Sequence, residues 1–281
     1  MSELRWHPFL EQWVVVTAHR QHRPQMPEDW CPFCPASLGN YDVRLYPNDF
    51  PAFSFDDHGA PGACDVVLYS PEHNLLPSEL PVSQWEKIID LWTRRTVDLS
   101  ADPRVKHVTV FENTGVAVGV TMPHPHGQIY AFPFVPPRVE KELKSSGNYK
   151  KVLQQELCDG RRIVYENDSF LAFVPYFARF PYETQIYPRR DFQGLAGMNS
   201  AETGDLAATL SAMRKKYDAL FGFPMPLMML VQQFSRFYVE FLPLQRSSTK
   251  LKYLAAIESG TGTFLNDVIP EEAAAALKGA A

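Results

Sequence analysis

The chain contains a degenerate internal repeat, and this repeat restricts the possible folds more than any other feature of the sequence. Segment 46–53 reads Tyr-Pro-Asn-Asp-Phe-Pro-Ala-Phe, and segment 165–173 reads Tyr-Glu-Asn-Asp-Ser-Phe-Leu-Ala-Phe. Each segment leads into a strand-like apolar run, at 65–69 and at 183–187, and then into a helical pattern. Repetition of one supersecondary unit predicts two structurally related halves.

Both halves are predicted to run strand, strand, helix, strand, strand. The helices are predicted at 83–99 and 201–221, where apolar residues recur at helical spacing, with Ser83 and Ser200 as N-caps. Each helix is followed by two strands, predicted over 105–112, 127–132, 227–232 and 237–242. Because two such halves can join their strands side by side, we predict an α+β fold with a largely antiparallel sheet and helices packed on it.

The two halves are predicted to cover residues 1–140 and 141–281. Residues 138–155 are polar and rich in Lys and Glu, which favours a connecting helix over a flexible linker. The Ala-rich segment 271–281 is predicted to form a short helix. The last strand of the first half carries histidines and its counterpart carries none. We therefore expect the chemistry in the first half and a degenerate second half.

The composition argues against several classes of partner. The chain has 281 residues, 45% of them hydrophobic and 21% charged, which is typical of a globular protein with a substantial core. Its formal net charge is −5, whereas proteins that bind nucleic acid through phosphates are usually basic. The N-terminus has no apolar targeting segment, and the apolar run 13–16 is far shorter than the roughly 20 residues of a membrane helix. We expect a cytoplasmic protein that binds neither nucleic acid nor membrane.

The chemistry is expected in segment 123–128, which reads Pro-His-Pro-His-Gly-Gln. The prolines keep their neighbours extended, so His124, His126 and Gln128 share a face. A neutral imidazole can attack phosphorus and form a phosphoramidate, which splits one displacement into two. Gln128 can donate to a phosphoryl oxygen but cannot act as a general acid, and Gly127 leaves room for a phosphate at the backbone. The alternative is a strand whose two histidines have no catalytic role.

Longer segments around this motif resemble the galactose-1-phosphate uridylyltransferases, the transferase branch of the histidine-triad superfamily. The matching segments are 111–115, Phe-Glu-Asn-Thr-Gly, and 119–128, Gly-Val-Thr-Met-Pro-His-Pro-His-Gly-Gln. The resemblance implies two histidine-triad-like repeats and a ping-pong reaction that moves UMP from UDP-glucose to galactose 1-phosphate. It also implies that His126 is the nucleophile and that Gln128 stabilises the uridylylated intermediate.

The resemblance extends along nearly the whole chain and implies further binding residues. The residues implied to bind the nucleotide and its phosphates are Arg20, Arg23, Asn48, Asp49, Phe50, Asn113, Gly119 and Thr121. Lys252 and Glu258 are the implied contacts of the sugar phosphate, and a homodimer with a shared active site is implied as well. On the residues alone, the two arginines could be surface charges, and the first Asn-Asp pair could be an Asx turn like the second.

A cysteine pair indicates a metal site or redox chemistry. Cys31 and Cys34 are separated by two residues, and such a pair in a reducing compartment is typical of metal or redox sites rather than structural disulfides. The resemblance adds His73 and His124 as ligands and so implies one structural zinc site. This site would tether the N-terminal loop to the catalytic strand. The alternative is a free or redox-active cysteine pair.

Some members of the family carry a second metal site, built from a Glu after the catalytic motif and three His in the second half. Glu140 or Glu142 could match the Glu, but the matching His are absent, and Gln232, Tyr238 and Glu240 stand in their neighbourhood. Segment 232–237 is also shorter than usual, which leaves the acceptor sugar open. We predict no second metal site.

Three other functions remain open at the level of the sequence. The same chemistry could act on another nucleotide or sugar phosphate, as in an adenylyltransferase similar to ADP-glucose phosphorylase. A nucleotide hydrolase of the same superfamily is a second possibility, against which Gln128 in place of a third His argues. A non-enzymatic, zinc-stabilised binding module is the third.

Overall fold

A computed structural model describes residues 2–24, 30–233 and 236–280. In this part of the chain the strands are β1 (Glu3–His7), β2 (Gln12–Val16), β3 (Arg44–Pro47), β4 (Ala63–Leu68), β5 (His107–Thr114), β6 (His126–Phe132), β7 (Ile163–Glu166), β8 (Phe170–Phe173), β9 (Thr184–Pro188), β10 (Leu227–Gln233), β11 (Phe237–Pro243), β12 (Gln245–Ser247) and β13 (Lys250–Leu251). The α-helices are α1 (Pro35–Leu38), α2 (Val82–Ser100), α3 (Pro137–Lys144), α4 (Tyr149–Asp159), α5 (Ser200–Phe221), α6 (Ala256–Thr261) and α7 (Pro270–Gly279).

One nine-stranded sheet joins the two halves of the chain, with the strand order β3-β4-β6-β5-β10-β11-β9-β8-β7. Its neighbouring strands pair antiparallel. The halves meet at the centre, where Phe111 of β5 pairs with Leu230 of β10. Outward from this pair the order β5-β6-β4 in one half matches β10-β11-β9 in the other. The predicted α+β fold with a largely antiparallel sheet is therefore confirmed.

Helices α2 and α5 cover one face of the sheet. Helix α4 packs against the opposite face of the second half, at Leu171, Phe173 and Tyr187. The opposite face of the first half is not covered by α2 or α5 and is called the open face below. Alternate residues of β6, Ile129 and Ala131, are buried in the main core with Trp85 and Trp92 of α2. The residues between them on β6 point to the open face, because successive side chains of a strand alternate. This alternation places His126 at the start of the strand, on the face that the long helices leave free.

The repeated Asn-Asp pairs form turns of the same kind in both halves. The side-chain oxygen of Asn48 accepts a hydrogen bond from the backbone nitrogen of Phe50 at 2.9 Å. The side-chain oxygen of Asn167 accepts from the backbone nitrogens of Ser169 and Phe170 at 3.3 and 2.9 Å. The Asx-turn interpretation of the pair thus holds as a structural role in both halves.

The ends of several elements differ from the prediction. The N-cap positions of α2 and α5 belong to Pro81 and Asn199, so Ser83 and Ser200 lie inside the first helical turn. Asn199 is the N-cap of α5 because its side-chain oxygen accepts a hydrogen bond from the backbone nitrogen of Glu202. The Glu202 carboxylate in turn accepts from the backbone nitrogen of Asn199, which completes a capping box. The predicted connecting helix 138–155 is two helices, α3 and α4, joined by the 3-10 turn Ser146–Asn148. The second half also carries an additional edge strand, β7.

In the described residues no helix combines the length and the apolar character that crossing a membrane requires.

Candidate active site

His126 has the protonation that a nucleophile needs. Its Nδ1 lies 2.7 Å from the backbone carbonyl oxygen of His124. Because a carbonyl can only accept, Nδ1 carries the proton, and Nε2 keeps its lone pair. Burial lowers the pKa of His126, although the His124 carbonyl and the Glu112 carboxylate oppose this shift. A lowered pKa keeps the imidazole neutral at pH 7, the form that attacks phosphorus.

A cavity of about 320 Å³ opens in front of His126. It is lined by every residue that the sequence predicts for the catalytic and nucleotide-binding roles: Arg20, Arg23, Asn48, Asp49, Phe50, Asn113, Gly119, Thr121, His126 and Gln128. Five separate chain segments supply these residues, so the fold brings together what the sequence keeps apart. Their individual roles remain predictions.

The two arginines are held at the rim by contacts within the chain. Arg20 donates a hydrogen bond to the carbonyl oxygen of Phe50. Arg23 donates to the hydroxyl of Thr121 at 3.1 Å. Both guanidinium groups are therefore positioned in the cavity and are not surface charges. Guanidinium groups suit the bidentate binding of phosphate oxygens.

Several residues of the cavity were missed by the sequence reasoning. The Tyr46 hydroxyl donates to both carboxylate oxygens of Asp49 at 3.0 Å, and so connects the cavity wall to the predicted ribose contact. The other aromatic and apolar residues of the cavity that were missed include Trp30, Phe33, Val66, Phe111 and Tyr130. Their signal in the sequence was the alternation along β4, β5 and β6, which places Val66, Phe111 and Tyr130 on the open face.

The structure corrects the role given to Gly127. A Cβ atom at this position would lie 2.2 Å from the Tyr69 hydroxyl and 3.2 Å from the carbonyl oxygen of Phe111. Tyr69 is fully buried on the helix-covered side of the sheet. The space that a side chain at position 127 would take is therefore occupied by the Tyr69 hydroxyl on the helix-covered side of the sheet. A phosphate cannot approach the backbone through this space.

Cys31, Cys34, His73 and His124 form a group whose ligand atoms all lie within 4.8 Å of one another. The Cys34 sulfur lies 3.3 Å from Nδ1 of His73 and 3.8 Å from Nδ1 of His124. Sulfur and nitrogen ligands of one tetrahedral zinc ion would be about 3.6 Å apart. Burial, with the neighbouring Cys31, raises the pKa of Cys34 to about 11, so a cation is needed to hold two thiolates here. The predicted metal-ligand set is therefore brought together.

His124 is oriented as a metal-ligating histidine usually is. Its Nε2 donates to the backbone carbonyl oxygen of Ser70 at 2.7 Å, which leaves Nδ1 free to face the sulfur atoms. Such a hydrogen bond from the second ring nitrogen is a regular feature of metal-bound histidines. The same residue's carbonyl oxygen accepts from His126, so the candidate metal group and the nucleophile are linked through one residue.

Lys252 and Glu258 lie apart from the His126 cavity within one chain. The Lys252 ammonium donates to the Glu258 carboxylate at 2.6 Å and to the carbonyl oxygen of Leu265. Both residues line a different cavity, formed by segments 251–258 and 265–267 with Arg246. A single chain therefore does not bring the predicted sugar-phosphate residues to the nucleophile.

Some members of the family have a second metal site in the region of Gln232, Tyr238 and Glu240. In this chain a hydrogen-bonded cluster around the guanidinium group of Arg138 lies there. Arg138 donates to Glu142 at 2.7 Å and to both carboxylate oxygens of Glu240 at 2.6 and 2.8 Å. Gln232 also donates to Glu240, and the Tyr238 hydroxyl donates to Glu142. Of the two candidate glutamates, Glu142 joins this cluster. Residues 234 and 235 of the short segment lie outside the described residues.

Comparisons with known proteins agree with the resemblance. Two family models match, galactose-1-phosphate uridyl transferase N-terminal domain over residues 40–136 and C-terminal domain over residues 139–240. A galactose-1-phosphate uridylyltransferase of Thermotoga maritima is 38% identical, across 99% of this chain and 98% of its own length. A Saccharomyces cerevisiae protein of the same name is 30% identical, across 99% and 94%.

Solved structures show the same similarity in three dimensions. A uridylyltransferase structure superposes with a TM-score of 0.90 at 30% identity, covering 100% of this chain and 98% of that one. An ADP-glucose phosphorylase from Arabidopsis thaliana with bound ADP-glucose superposes with a TM-score of 0.81, covering 100% and 99%. Its identity of 23% shows a shared fold and no more.

Proposed function

This chain belongs to the galactose-1-phosphate uridylyltransferase family, and from that premise we propose that it transfers UMP from UDP-glucose to galactose 1-phosphate through a covalent intermediate on His126. The observation that carries the proposal is the hydrogen bond from Nδ1 of His126 to the His124 carbonyl, which directs an unprotonated Nε2 into a cavity with two arginines.

In the first half-reaction, Nε2 of His126 attacks the α-phosphorus of UDP-glucose. The Nε2–P bond forms, the P–O bond to the β-phosphate breaks, and glucose 1-phosphate leaves with the electron pair. Arg20 and Arg23 stabilise the charge on the phosphates, and Gln128 donates to a phosphoryl oxygen. A sugar phosphate is a good leaving group without protonation, so the site needs no general acid.

In the second half-reaction, a phosphate oxygen of galactose 1-phosphate attacks the same phosphorus. The P–O bond of UDP-galactose forms, the Nε2–P bond breaks, and the electron pair returns to His126. A phosphate dianion needs no base to become a nucleophile, whereas water does. Gln128 supplies no such base, which favours transfer over hydrolysis.

We assign the end of the cavity formed by segment 48–50 to the uridine of UDP-glucose. We assign the Asp49 carboxylate to the ribose hydroxyls and Phe50 to contact with the base. Asn48 shapes this end, because its side-chain oxygen is already used in the turn to Phe50. Asn113, Gly119 and Thr121, which line the same cavity as His126, are assigned to the phosphates.

We assign the group Cys31, Cys34, His73 and His124 to one zinc ion. Two thiolates and two imidazoles are the donor set of structural zinc sites, and the ligand spacing described above fits a tetrahedral ion. The ion would supply a crosslink between the N-terminal loop and the catalytic segment. His124 would then be fixed, and its carbonyl would hold Nδ1 of His126.

We propose a homodimer in which Lys252 and Glu258 of the partner subunit complete the sugar-phosphate side of the site. Two observations support this arrangement: their distance from the His126 cavity in one chain, and the exposed apolar residues Tyr253, Leu254 and Ile257 between them. A cytoplasmic location is part of the same proposal, as is the absence of nucleic-acid and membrane partners.

Isotope exchange tests the proposed function. Labelled glucose 1-phosphate should enter UDP-glucose in the absence of any galactose 1-phosphate, because the first half-reaction is reversible. The His126→Ala variant should not catalyse this exchange. ADP-glucose with the same label is the matched arm for the adenylyltransferase alternative. Exchange with ADP-glucose and none with UDP-glucose would overturn the donor assignment, and unimpaired exchange by the variant would overturn the nucleophile.

A further inference from the structure

Behind the catalytic strand lies a buried polar cluster that the reaction described above does not use. Tyr69 and Glu112 are at its centre, both almost completely removed from solvent, and Arg214 is buried beside them. The Glu112 carboxylate pairs with the Arg214 guanidinium at 3.2 Å and accepts from the Thr114 hydroxyl at 2.6 Å. Thr114 in turn accepts from Arg214 at 2.9 Å. The cluster is thus anchored to both β5 and α5.

Tyr69 contacts segment 125–127 through its hydroxyl and through its backbone nitrogen. Its hydroxyl fills the space that a side chain on residue 127 would need, between His126 and Gln128. Its backbone nitrogen also donates to the carbonyl oxygen of Pro125 at 3.1 Å. The ring is held from the other side by Trp85 and Trp92, at centroid distances of 5.6 and 6.1 Å. The hydroxyl therefore rests against the one residue that joins the nucleophile to Gln128.

The cluster is costly for stability. Among the described residues, neither the Tyr69 hydroxyl nor Oε2 of Glu112 has a hydrogen bond of good geometry, although the two groups interact with each other. A buried polar group left in this state lowers the stability of the fold. Burial and the negative charge of Glu112 raise the pKa of Tyr69 well above its ordinary value, so the phenol stays protonated. A phenylalanine would keep the ring packing, but it would leave Oε2 of Glu112 without the neighbouring hydroxyl, so the role of the hydroxyl has to be measured in the rate as well as in the stability.

We propose that Tyr69 is a positioning residue for His126. Its hydroxyl supports the backbone of Gly127 from the helix-covered side, beside the anchored carboxylate of Glu112, and thereby fixes the direction in which His126 and Gln128 point. Glu112 and His126 also line one small cavity of about 170 Å³, so the Glu112 end of the cluster borders the same space as His126. The inference rests on the proposed function, because it concerns the uridylylation of His126.

The Tyr69→Phe variant tests the inference through the rate constant for uridylylation and the melting temperature, which a purely structural role would lower together. We expect the single-turnover rate constant for uridylylation by UDP-glucose to fall about tenfold, since small displacements of a nucleophile are costly. The KM for UDP-glucose should change by less than about twofold, because the nucleotide cavity is untouched. The melting temperature should fall less than in the Tyr217→Phe control, because the Tyr69 hydroxyl has no hydrogen bond of good geometry to lose.

Tyr217→Phe is the matched control. Tyr217 is equally buried, but its hydroxyl is paired with Thr184 at 2.7 Å and the carbonyl oxygen of Tyr182 at 2.9 Å, far from His126 in sequence and in the second half. This variant should melt at a lower temperature and keep the wild-type rate constant. A wild-type rate constant in Tyr69→Phe would overturn the inference. A fall in rate that is matched by a fall in melting temperature as large as that of Tyr217→Phe would overturn it as well.

Gly127→Ala gives a second, independent readout. Its Cβ would collide with the Tyr69 hydroxyl, so we expect the rate constant to collapse. In this background Tyr69→Phe should raise the rate in part, the opposite of its effect alone, because it removes the atom at 2.2 Å while Cζ of the ring stays 2.9 Å from the added Cβ. The same sign in both backgrounds would contradict the inference. Failure of the wild-type protein to be uridylylated refutes the proposed function and the inference together, whereas a labelled wild type with an unaffected Tyr69→Phe variant refutes the inference alone.

Discussion

His126 keeps its proton on Nδ1, donates it to the His124 carbonyl, and presents Nε2 to the cavity. The His124 carbonyl and the Gln128 side chain bear on whether this site favours transfer or hydrolysis. A carbonyl in that place selects one tautomer, and a neutral amide at position 128 supplies no proton for a leaving alkoxide and no base for water. Substrates that carry their own ionised phosphates can therefore react here without a proton donor or a base at residue 128.

Asp49 provides a residue-scale prediction with a control inside the same chain. Asp49→Asn should raise the KM for UDP-glucose about tenfold with a smaller change in kcat, because a charge-assisted hydrogen bond to the ribose is weakened far from the phosphorus. Asp168 occupies the matching position of the second half and is exposed. Asp168→Asn should leave both constants unchanged. Equal effects of the two substitutions in steady-state kinetics would refute the assignment of Asp49 to the nucleoside.

At the scale of elements, segment 124–132 is fixed by strand pairing along β6 and by the candidate metal group at His124. β6 pairs with β4 and β5 along its length, and the candidate metal group holds the residues that precede it. The loop that contains Cys31 and Cys34 also reaches the cavity through Phe33, which packs against His126 at a centroid distance of 5.8 Å. Loss of the metal should therefore affect both stability and chemistry.

Metal removal gives the corresponding prediction. Treatment with a chelator, or the Cys34→Ser substitution, should lower the melting temperature by about 5 °C or more, since a crosslink worth at least a few kcal/mol is lost. The rate constant for uridylylation of His126 should fall as well. Cys158→Ser is the control, because Cys158 is exposed and lies outside the group. About one metal ion per chain is expected from elemental analysis, and a metal-free protein of full stability would contradict this account.

Arg138 connects helix α3 to strand β11 and allows a test of that junction. Arg138→Met leaves the fully buried Glu240 with one fewer cation, and should lower the free energy of unfolding by about 3 kcal/mol. Arg161→Met, which breaks an exposed pair with Asp159, should cost less than about 1 kcal/mol. Urea denaturation measures both. A loss in Arg138→Met no larger than in the control would show that the cluster is structurally neutral.

Features that depend on neighbouring residues, such as strands and short motifs, could be predicted from the sequence. Contacts between residues far apart in the sequence could not. The repeat and the alternation of apolar residues predicted the two matching sets of strands, and the family resemblance along the chain implied the polar residues that line the main cavity. The Tyr69 hydroxyl behind Gly127 was missed, because its partner is distant in sequence and no periodicity records it. The same holds for Arg138, which meets Glu240 across 102 residues.

At the scale of the whole molecule, the single sheet makes both halves necessary. The first half supplies His126, and the second half supplies the strand β10 that pairs with β5 beside it. The second half also carries Lys252 and Glu258, which line a cavity separate from the one at His126. A dimer gives these residues a role, and sedimentation should show two chains per particle.

Acid sensitivity of the fold follows from a buried histidine at the edge of the core. Burial lowers the pKa of His107 from 6.5 to about 4. The unfolded chain therefore binds a proton between these values that the folded chain does not, so stability is fully present above pH 6.5 and falls as the pH drops toward 4. The loss from this residue should reach about 3 kcal/mol. His107→Gln should reduce the loss between pH 6.5 and 4 in urea denaturation, whereas His58→Gln, at an exposed position, should not.

The central claim is that the nucleotide passes through a bond to Nε2 of His126. The most direct test is to mix the protein with UDP-glucose that is labelled at the α-phosphorus, remove the small molecules, and map the label by peptide mass spectrometry. The account predicts one uridylyl group on the peptide that contains residue 126, and its quantitative transfer to added galactose 1-phosphate. A label on another residue, or an unlabelled protein that still forms UDP-galactose, would contradict it.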